Sequence, residues 1–335
     1  MKFYNRFIEF AENIKNQTIQ SDIENNEISY VLNNAYHYNK WYSPSEVRRR
    51  ILAIANFILS KNFKEQYTIF PQSNNSLSVG IYSDESIPAQ EFFTLLSILL
   101  IGHSIQYKQK DKKEIVLEYL LKKLCQYIPD FYHKIKFTNE LIDVSDAIIY
   151  AGRKQLPENT KYVFKKYKFL EITRHQSIGI IDNKYTDNDF EKLAKDVFTY
   201  YGKGPGNIKK LFVPTNYNII NILKYLNSWQ EVINHAPYAN NYEYYKSVYL
   251  VNKIEHFDNG FLLIKKEKQM NIPVGVLYYE EYSNIKELYE KIKQENNVEK
   301  IIVREVINSE NETPLGQSEE QLFKPSLQLI DFLIK

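Results

Sequence analysis

The 335 residues suit one large domain or two of ordinary size, and 44% hydrophobic with 25% charged residues excludes a disordered chain. Forty-three basic against 41 acidic residues leave a net charge of +2, too balanced for nucleic acid to be the main partner. The one cysteine, Cys125, excludes an intramolecular disulfide and argues against a cysteine-built metal site. The 28 tyrosines and 19 phenylalanines read as the coding habit of an AT-rich genome and carry little functional weight.

In chain order, the first stretch, residues 1–72, is expected to be helical. Phe3, Phe7, Ile8 and Phe10 fall on one side, and Val47, Ile51, Ile54 and Ile58 repeat the pattern, with a polar, aromatic connector from Tyr36 to Pro44. The run Arg48-Arg49-Arg50 points in three directions around a helix, so it reads as a solvated face and not a phosphate patch. The charged amphipathic start is not a signal-peptide core, and the longest apolar stretch, Phe92 to Ile101, is about half a membrane span, so no membrane span and a cytoplasmic location are expected.

The second stretch, residues 73–185, alternates strands and helices. Leu77 to Tyr82 reads as a strand; Pro88 suits the first turn of a helix through Phe92, Leu96 and Leu100, which Gly102 closes. Strands are expected at Ile105 to Tyr107, Asp146 to Tyr150 and Ser177 to Ile181. Helices are expected at Lys113 to Tyr127, stopped by Pro129 with Cys125 on the buried side, and around Val163 to Tyr167. This alternation argues for a Rossmann-like parallel sheet.

The third stretch, residues 186–312, opens with a helix from Asp187 to Tyr201, capped by Asp187 or Asn188. A glycine-rich turn follows, then a strand from Lys210 to Val213 and helix around Ile219 to Leu226. Further strands are expected at Val248 to Leu250, Phe261 to Ile264, Val274 to Tyr278 and Ile301 to Val303. The fold class is therefore α/β with two lobes, each a mainly parallel sheet flanked by helices; residues 313–335 form a final segment.

Gly202-Lys203-Gly204-Pro205-Gly206-Asn207 is a tempting phosphate loop, but the order is helix, loop, strand, the reverse of what such loops need. Pro205 also has no N–H to donate. A tight structural turn is the simpler reading. The six histidines show no metal-ligand spacing, so no metal is expected. His103 follows a helix C-terminus, where a partly charged imidazole is favoured.

Several stretches together resemble one family: Gly204 to Pro214, Tyr238-Ala239-Asn240-Asn241-Tyr242, Val248-Tyr249-Leu250, Asp258 to Leu263 and Leu315-Gly316-Gln317. In order and spacing they are similar to the acyl-CoA reductases related to the fatty acid reductase of bacterial luminescence operons, and to its Bacteroidetes branch, within the aldehyde-dehydrogenase-like superfamily. The likeness runs from about Tyr36 to the end and is strongest after Asp187. It implies an NADPH-binding lobe over 73–185, a catalytic-type lobe over 186–312, and a segment, 313–335, returning to the first lobe. It further implies acyl-CoA or an acyl group as ligand, a thiolate nucleophile, and association into homo- or hetero-oligomers.

The residues that carry the implied chemistry depart from the pattern. Pro205 stands where the resemblance places the cysteine, Gly206 where it places a basic residue, and Asn207 remains. Ser86, preceded by Glu85, replaces the asparagine expected to hold an oxyanion. The Gly-Ser step expected near the cofactor is Gly152-Arg153, while Lys108 matches a lysine expected near the cofactor ribose. Asn207, Asn240, Asn241 and Gln317 are the expected substrate-side residues. Losing a nucleophile costs about 10⁶-fold in turnover, and losing one oxyanion donor about 10²–10³-fold. The expected function is thus a catalytically degenerate acyl-CoA reductase homologue that still binds a ligand or partner. Two alternatives stand beside it: an active NADPH-dependent reductase with a non-standard nucleophile, and a non-enzymatic scaffold or regulatory subunit. Ser177 with His175 two residues earlier is the one conceivable substitute pair. If the scaffold is intact, Pro205→Cys with Gly206→Arg and Ser86→Asn is expected to restore thioester attack.

Overall fold

The computed structural model describes residues 3–21, 26–109, 114–140, 145–153, 155–295, 298–307 and 312–335, so the expected helix start at Lys113 lies outside them. The chain divides into two compact units, Met1–Thr173 with Leu322–Lys335, and Arg174–Gln321.

Unit 1 opens with four helices, α1 (Tyr4–Gln20), α2 (Glu27–Tyr38), α3 (Pro44–Ile58) and α4 (Lys61–Ile69). Phe7, Phe10 and Ile14 of α1 and Val47, Ile51 and Ile54 of α3 are fully buried in one core with the sheet. Their three- and four-residue spacing puts each set on a single helix face. Ser43 caps α3, its Oγ accepting from the Glu46 N–H, with Pro44 in the first turn where a missing N–H costs nothing. Arg50 departs from expectation. It is fully buried, and its guanidinium donates to the carbonyls of Pro88 (3.2 Å) and Ala89 (3.4 Å).

Then come β1 (Ser78–Ser83), α5 (Phe92–Ile101), β2 (Ser104–Lys108), α6 (Ile115–Tyr127), β3 (Ile135–Thr138), β4 (Ala147–Gly152), α7 (Glu158–Phe164), β5 (Lys168–Thr173) and, at the far end of the sequence, α12 (Leu327–Ile334). The five strands are all parallel, in the order β3-β2-β1-β4-β5. α5 is buried along its whole length, which is why its sequence is apolar on every side. Gly102 ends it at φ 116°, the left-handed conformation that glycine adopts at least cost.

Unit 2 contains β6 (Gln176–Ile180), α8 (Asp187–Phe198), β7 (Ile208–Pro214), α9 (Ile219–Leu226), α10 (Ala236–Val251), β8 (Phe257–Asp258), β9 (Leu263–Lys266), β10 (Val276–Tyr282), α11 (Ile285–Gln294), β11 (Val298–Val303) and β12 (Glu312–Pro314). Its sheet runs β12-β11-β6-β7-β10-β9-β8 and is parallel except for the antiparallel β8–β9 pair.

Four sequence expectations change. The division falls after Thr173 and not after residue 185, because β6 pairs with β7 and β11 in the second sheet. The return to unit 1 begins at Leu322 and not at 313, because β12 pairs with β11. Val248 to Leu250 is the last turn of α10 and not a strand: buried Tyr238, Tyr242 and Tyr249 sit four and seven residues apart, a helical spacing. The helix expected from Asp187 to Tyr201 stops at Phe198, and Thr186 caps it. The Asp189 carboxylate accepts from the Thr186 N–H (2.9 Å) and hydroxyl (2.8 Å), as in a capping box.

Candidate functional site

In unit 1 the relevant place is the carboxyl edge of the sheet beside β1. The connection leaving β1 runs to β2 on one side, whereas the one leaving β3 crosses back to β4 on the other, and α/β folds bind ligands at such reversals of strand order. Lys108 and Tyr150 both pair in register with Tyr82, so three neighbouring strands bring residues near their carboxyl ends to one row. Ser86, Lys108 and Gly152 all lie on this edge.

The turn from β1 to α5 is closed on itself. Ser86 is buried, and both its N–H (3.0 Å) and its hydroxyl (2.8 Å) donate to Oε1 of Gln90. Gln90 donates to Glu91 (3.1 Å), whose carboxylate also accepts from Ser83 (3.4 Å) and Thr94 (2.8 Å). Glu91 is fully buried at the start of α5, where a carboxylate offsets the positive helix end. The one proton of the Ser86 hydroxyl is committed to Gln90, so it is not available to an oxyanion.

Glu85, beside it, accepts from the Tyr107 hydroxyl at 2.5 Å. Burial, with the Glu114 and Glu91 charges next to it, holds Glu85 well above the usual carboxylate range. Burial raises Glu114 as well, and the two carboxyls contact each other. Burial and the same glutamates push the Tyr42 and Tyr107 phenols upward. No sequence pattern announced Glu114, Tyr42 or Tyr107, because they come from three separate elements.

These residues do not fit a nicotinamide dinucleotide. The turn has no glycine between Gly80 and Gly102, and it carries Asp84, Glu85 and Glu91 where a pyrophosphate needs bare N–H groups. The space over Gly152 belongs to Tyr150, whose hydroxyl would stand 2.3 Å from a Cβ at that glycine. Lys108 donates to the carbonyl of Asn139. Arg153, where the resemblance expects serine, is exposed.

In unit 2 the turn before β7 is interlocked by its backbone. Pro205, Gly206 and Asn207 are buried. Asn207 Oδ1 accepts from the Gly204 N–H (2.7 Å), its Nδ2 donates to the Asp196 carbonyl (2.8 Å), and its carbonyl accepts from Ser177 N–H (3.2 Å). One residue, through its side chain and its carbonyl, thus ties α8, the turn and β6 together. Gly206 lies against the Ser318 backbone so closely that a Cβ would meet that carbonyl oxygen at 2.2 Å. The buried Asp196 carboxylate completes the lock by accepting from the N–H groups of Gly316 (2.6 Å) and Ser318 (3.2 Å). Burial raises its pKa, and these two bonds oppose the shift.

Just before this turn, Tyr200 and Tyr201 take φ values of 55° and 57°, left-handed conformations that cost roughly 1–3 kcal/mol each in residues with a Cβ. Tyr201 stacks on His235 with ring centroids 3.9 Å apart, and Tyr200 donates to Glu319.

The expected substrate-side residues are not all brought together. Asn207 and the segment containing Gln317 meet at the Gly206–Ser318 contact, but Gln317 is exposed and Asn207 is spent on the turn. Asn240 is exposed on α10, and Asn241 donates to Pro237 one turn back (2.8 Å). The Gly206 contact also overturns the restoration by Pro205→Cys, Gly206→Arg and Ser86→Asn, because no side chain fits at position 206.

Neither of two candidate substitutes, Cys125 and Ser177, is activated among the described residues. Cys125 lies on α6, and burial pushes its thiol up to about 11, so it is protonated at neutral pH. Ser177 is fully buried, and its hydroxyl has no hydrogen-bond partner among the described residues; His175 precedes β6 with its N–H donated to Glu299 (2.9 Å). Among the described residues, no group of three His, Cys, Asp or Glu side chains is placed to hold a metal, and no helix is long and apolar enough to cross a membrane.

The architecture is that of aldehyde dehydrogenases. An NAD-dependent aldehyde dehydrogenase from Sinorhizobium meliloti matches with a TM-score of 0.62 at 12% identity, covering 95% of this chain and 72% of that one. A lactaldehyde dehydrogenase matches with a TM-score of 0.63 at 10% identity, over 94% and 78% of the two chains. An acetylating aldehyde dehydrogenase from Geobacillus thermoglucosidasius gives 0.57 at 10% identity, over 90% and 76%. No family model matches the sequence, and no curated protein matches it.

Proposed function

We propose that this chain is a catalytically degenerate relative of acyl-CoA reductases that acts by binding, on a fold otherwise used for dehydrogenase and reductase chemistry. The observation that carries this reading is the turn at Pro205. A proline stands where the resemblance puts a thiolate, and the turn is locked to Ser318 and Asp196 with no room for the basic neighbour at position 206. The loss of the nucleophile alone removes roughly 8 kcal/mol of transition-state stabilisation. The committed Ser86 hydroxyl and the carboxylates of the β1–α5 turn add to that loss.

The cytoplasmic scaffold or regulatory reading is the favoured form of this proposal, because the unit 1 crevice is filled by its own Glu85, Glu114, Tyr42 and Tyr107. The partner is then a second copy of the chain, an active reductase, or an enzyme that transfers acyl groups. Light scattering tests this side of the proposal: a strictly monomeric protein, alone and as drawn from its native cells, counts against it.

The decisive experiment is NADPH absorbance decay with short to long acyl-CoAs at micromolar protein. A flat trace with folded protein agrees with lost catalysis. Turnover would overturn it and direct the search to a nucleophile other than Cys125. Calorimetry with NADPH and with acyl-CoA separates ligand binding from a pure scaffold.

A further inference from the structure

His103 sits in the short link between α5 and β2 and is fully buried. Both ring nitrogens are occupied. Nδ1 accepts from the Leu77 N–H at 3.1 Å, and Nε2 lies 2.8 Å from the carbonyl oxygen of Leu333. An amide N–H can only donate and a carbonyl can only accept, so Nδ1 is bare and Nε2 carries the proton. The partners alone fix a neutral ring. A helix C-terminus would favour a charged one, so here the local hydrogen bonds override the dipole.

Leu333 belongs to the last turn of α12, whose terminal carbonyls have no partner inside the helix. The His103 N–H satisfies one of them across 230 positions of sequence. α12 has eight residues, far below the length at which a helix holds itself in water. It depends on docking: Leu329 and Leu333 are buried in the unit 1 core, and Ser326 caps its start through the Leu329 N–H (3.1 Å).

We propose that His103 is an acid-operated latch, whose neutral ring holds α12 on unit 1 and whose protonation releases that helix. A proton on Nδ1 would point a second donor at the Leu77 N–H, and it would place an unpaired charge in a buried site. The charged groups acting on the ring give no relief. Lys134, from the turn before β3, donates to Gly102 (2.9 Å), and Lys168, from β5, lies over the Phe332 ring of α12 at 4.7 Å; both are cations and both disfavour a second positive charge. Asp331 of α12 and Lys335, just after it, are exposed. Burial likewise lowers the pKa of the ring below the ordinary 6.5. The latch is therefore fully set above that value, and its contribution is lost as the pH falls through the lower folded-state value.

Hydrogen exchange read by mass spectrometry tests this at pH 7.5 and 5.5, corrected for intrinsic rates. Peptides covering 327–334 should lose protection about tenfold at the lower pH, while those covering β1 and β4 hold theirs. In His103→Gln, which cannot titrate, exchange of α12 should not change between the two pH values. NMR titration of the His103 ring in the wild-type protein should give a midpoint that coincides with α12 release, and it serves if the variant does not fold. Equal protection of α12 at both pH values, a pH step that survives in His103→Gln, or a ring that titrates with α12 still docked would each overturn the latch.

Discussion

The turn after β1 and the turn before β7, the two places to which the sequence resemblance assigns chemistry, are closed by different means. The first is filled by polar side chains: Ser86, Gln90 and Glu91 bond to one another, and Glu85 shares a buried pocket with Glu114 and Tyr107. The second is filled by backbone, with Gly206 against Ser318 and Asp196 holding the strand of chain at 316–318. A closure made of side chains can be undone by substitution. One made of backbone contacts resists it, because every new atom collides with something that cannot rotate away.

The strongest test of that contrast is Gly206→Arg. With a backbone oxygen 2.2 Å from the first added carbon, it should cost about 3 kcal/mol or more, or leave no folded protein. A variant with an unchanged denaturation midpoint would break the comparison. Asp196→Ala comes next: it strands two backbone N–H groups and should cost about 2–3 kcal/mol by urea denaturation. In the first turn, Ser86→Ala should cost only about 1 kcal/mol, since it removes one neutral hydrogen bond.

Glu85→Gln sharpens the contrast through its sign. Because Glu85 titrates above the ordinary 4.5 in the folded chain, its burial costs nothing at low pH and increasingly more as the pH rises from 4.5 to the folded-state value. The variant should therefore gain on the wild type between pH 5 and pH 8, read as a rising difference in melting temperature. Pro205→Cys is the smallest change. It should lower stability by less than about 1 kcal/mol, and mass spectrometry should find no acyl adduct after incubation with acyl-CoA.

Where a single element sets the outcome, the sequence was readable. The continuous apolar run of α5 and its close at Gly102 could be read, although the helix starts at Phe92 and not with Pro88 in its first turn; β1 could be placed within one residue and β7 within two. Proline at position 205, where the resemblance places a cysteine, was equally plain. What could not be read depends on partners distant in sequence. β6 belongs to the second unit only because β7 and β11 flank it, and nothing in residues 176–180 says so. Asp196 looks like one more polar residue on an amphipathic helix until residues 316–318 arrive to occupy it. Gly206 reads as turn glycine, whereas its lack of a side chain matters for the carbonyl of Ser318, more than 100 positions away. The spacing of the histidines offered no metal motif, and it gave no hint that His103 reaches Leu333.

The discontinuous make-up of unit 1 has a consequence for biosynthesis. Phe323, Leu329 and Leu333 belong to the core that residues 1–173 build, yet the ribosome delivers them only after the whole of 174–321. Synthesis at about 5–20 residues per second imposes a wait of about seven to thirty seconds, during which α5 and its neighbours stand without their last cover. The five parallel strands close slowly in any case, since each pairing requires a crossover. Unit 1, most of which emerges before unit 2, is thus completed after it, and in that interval its incomplete core is the surface a chaperone would cover.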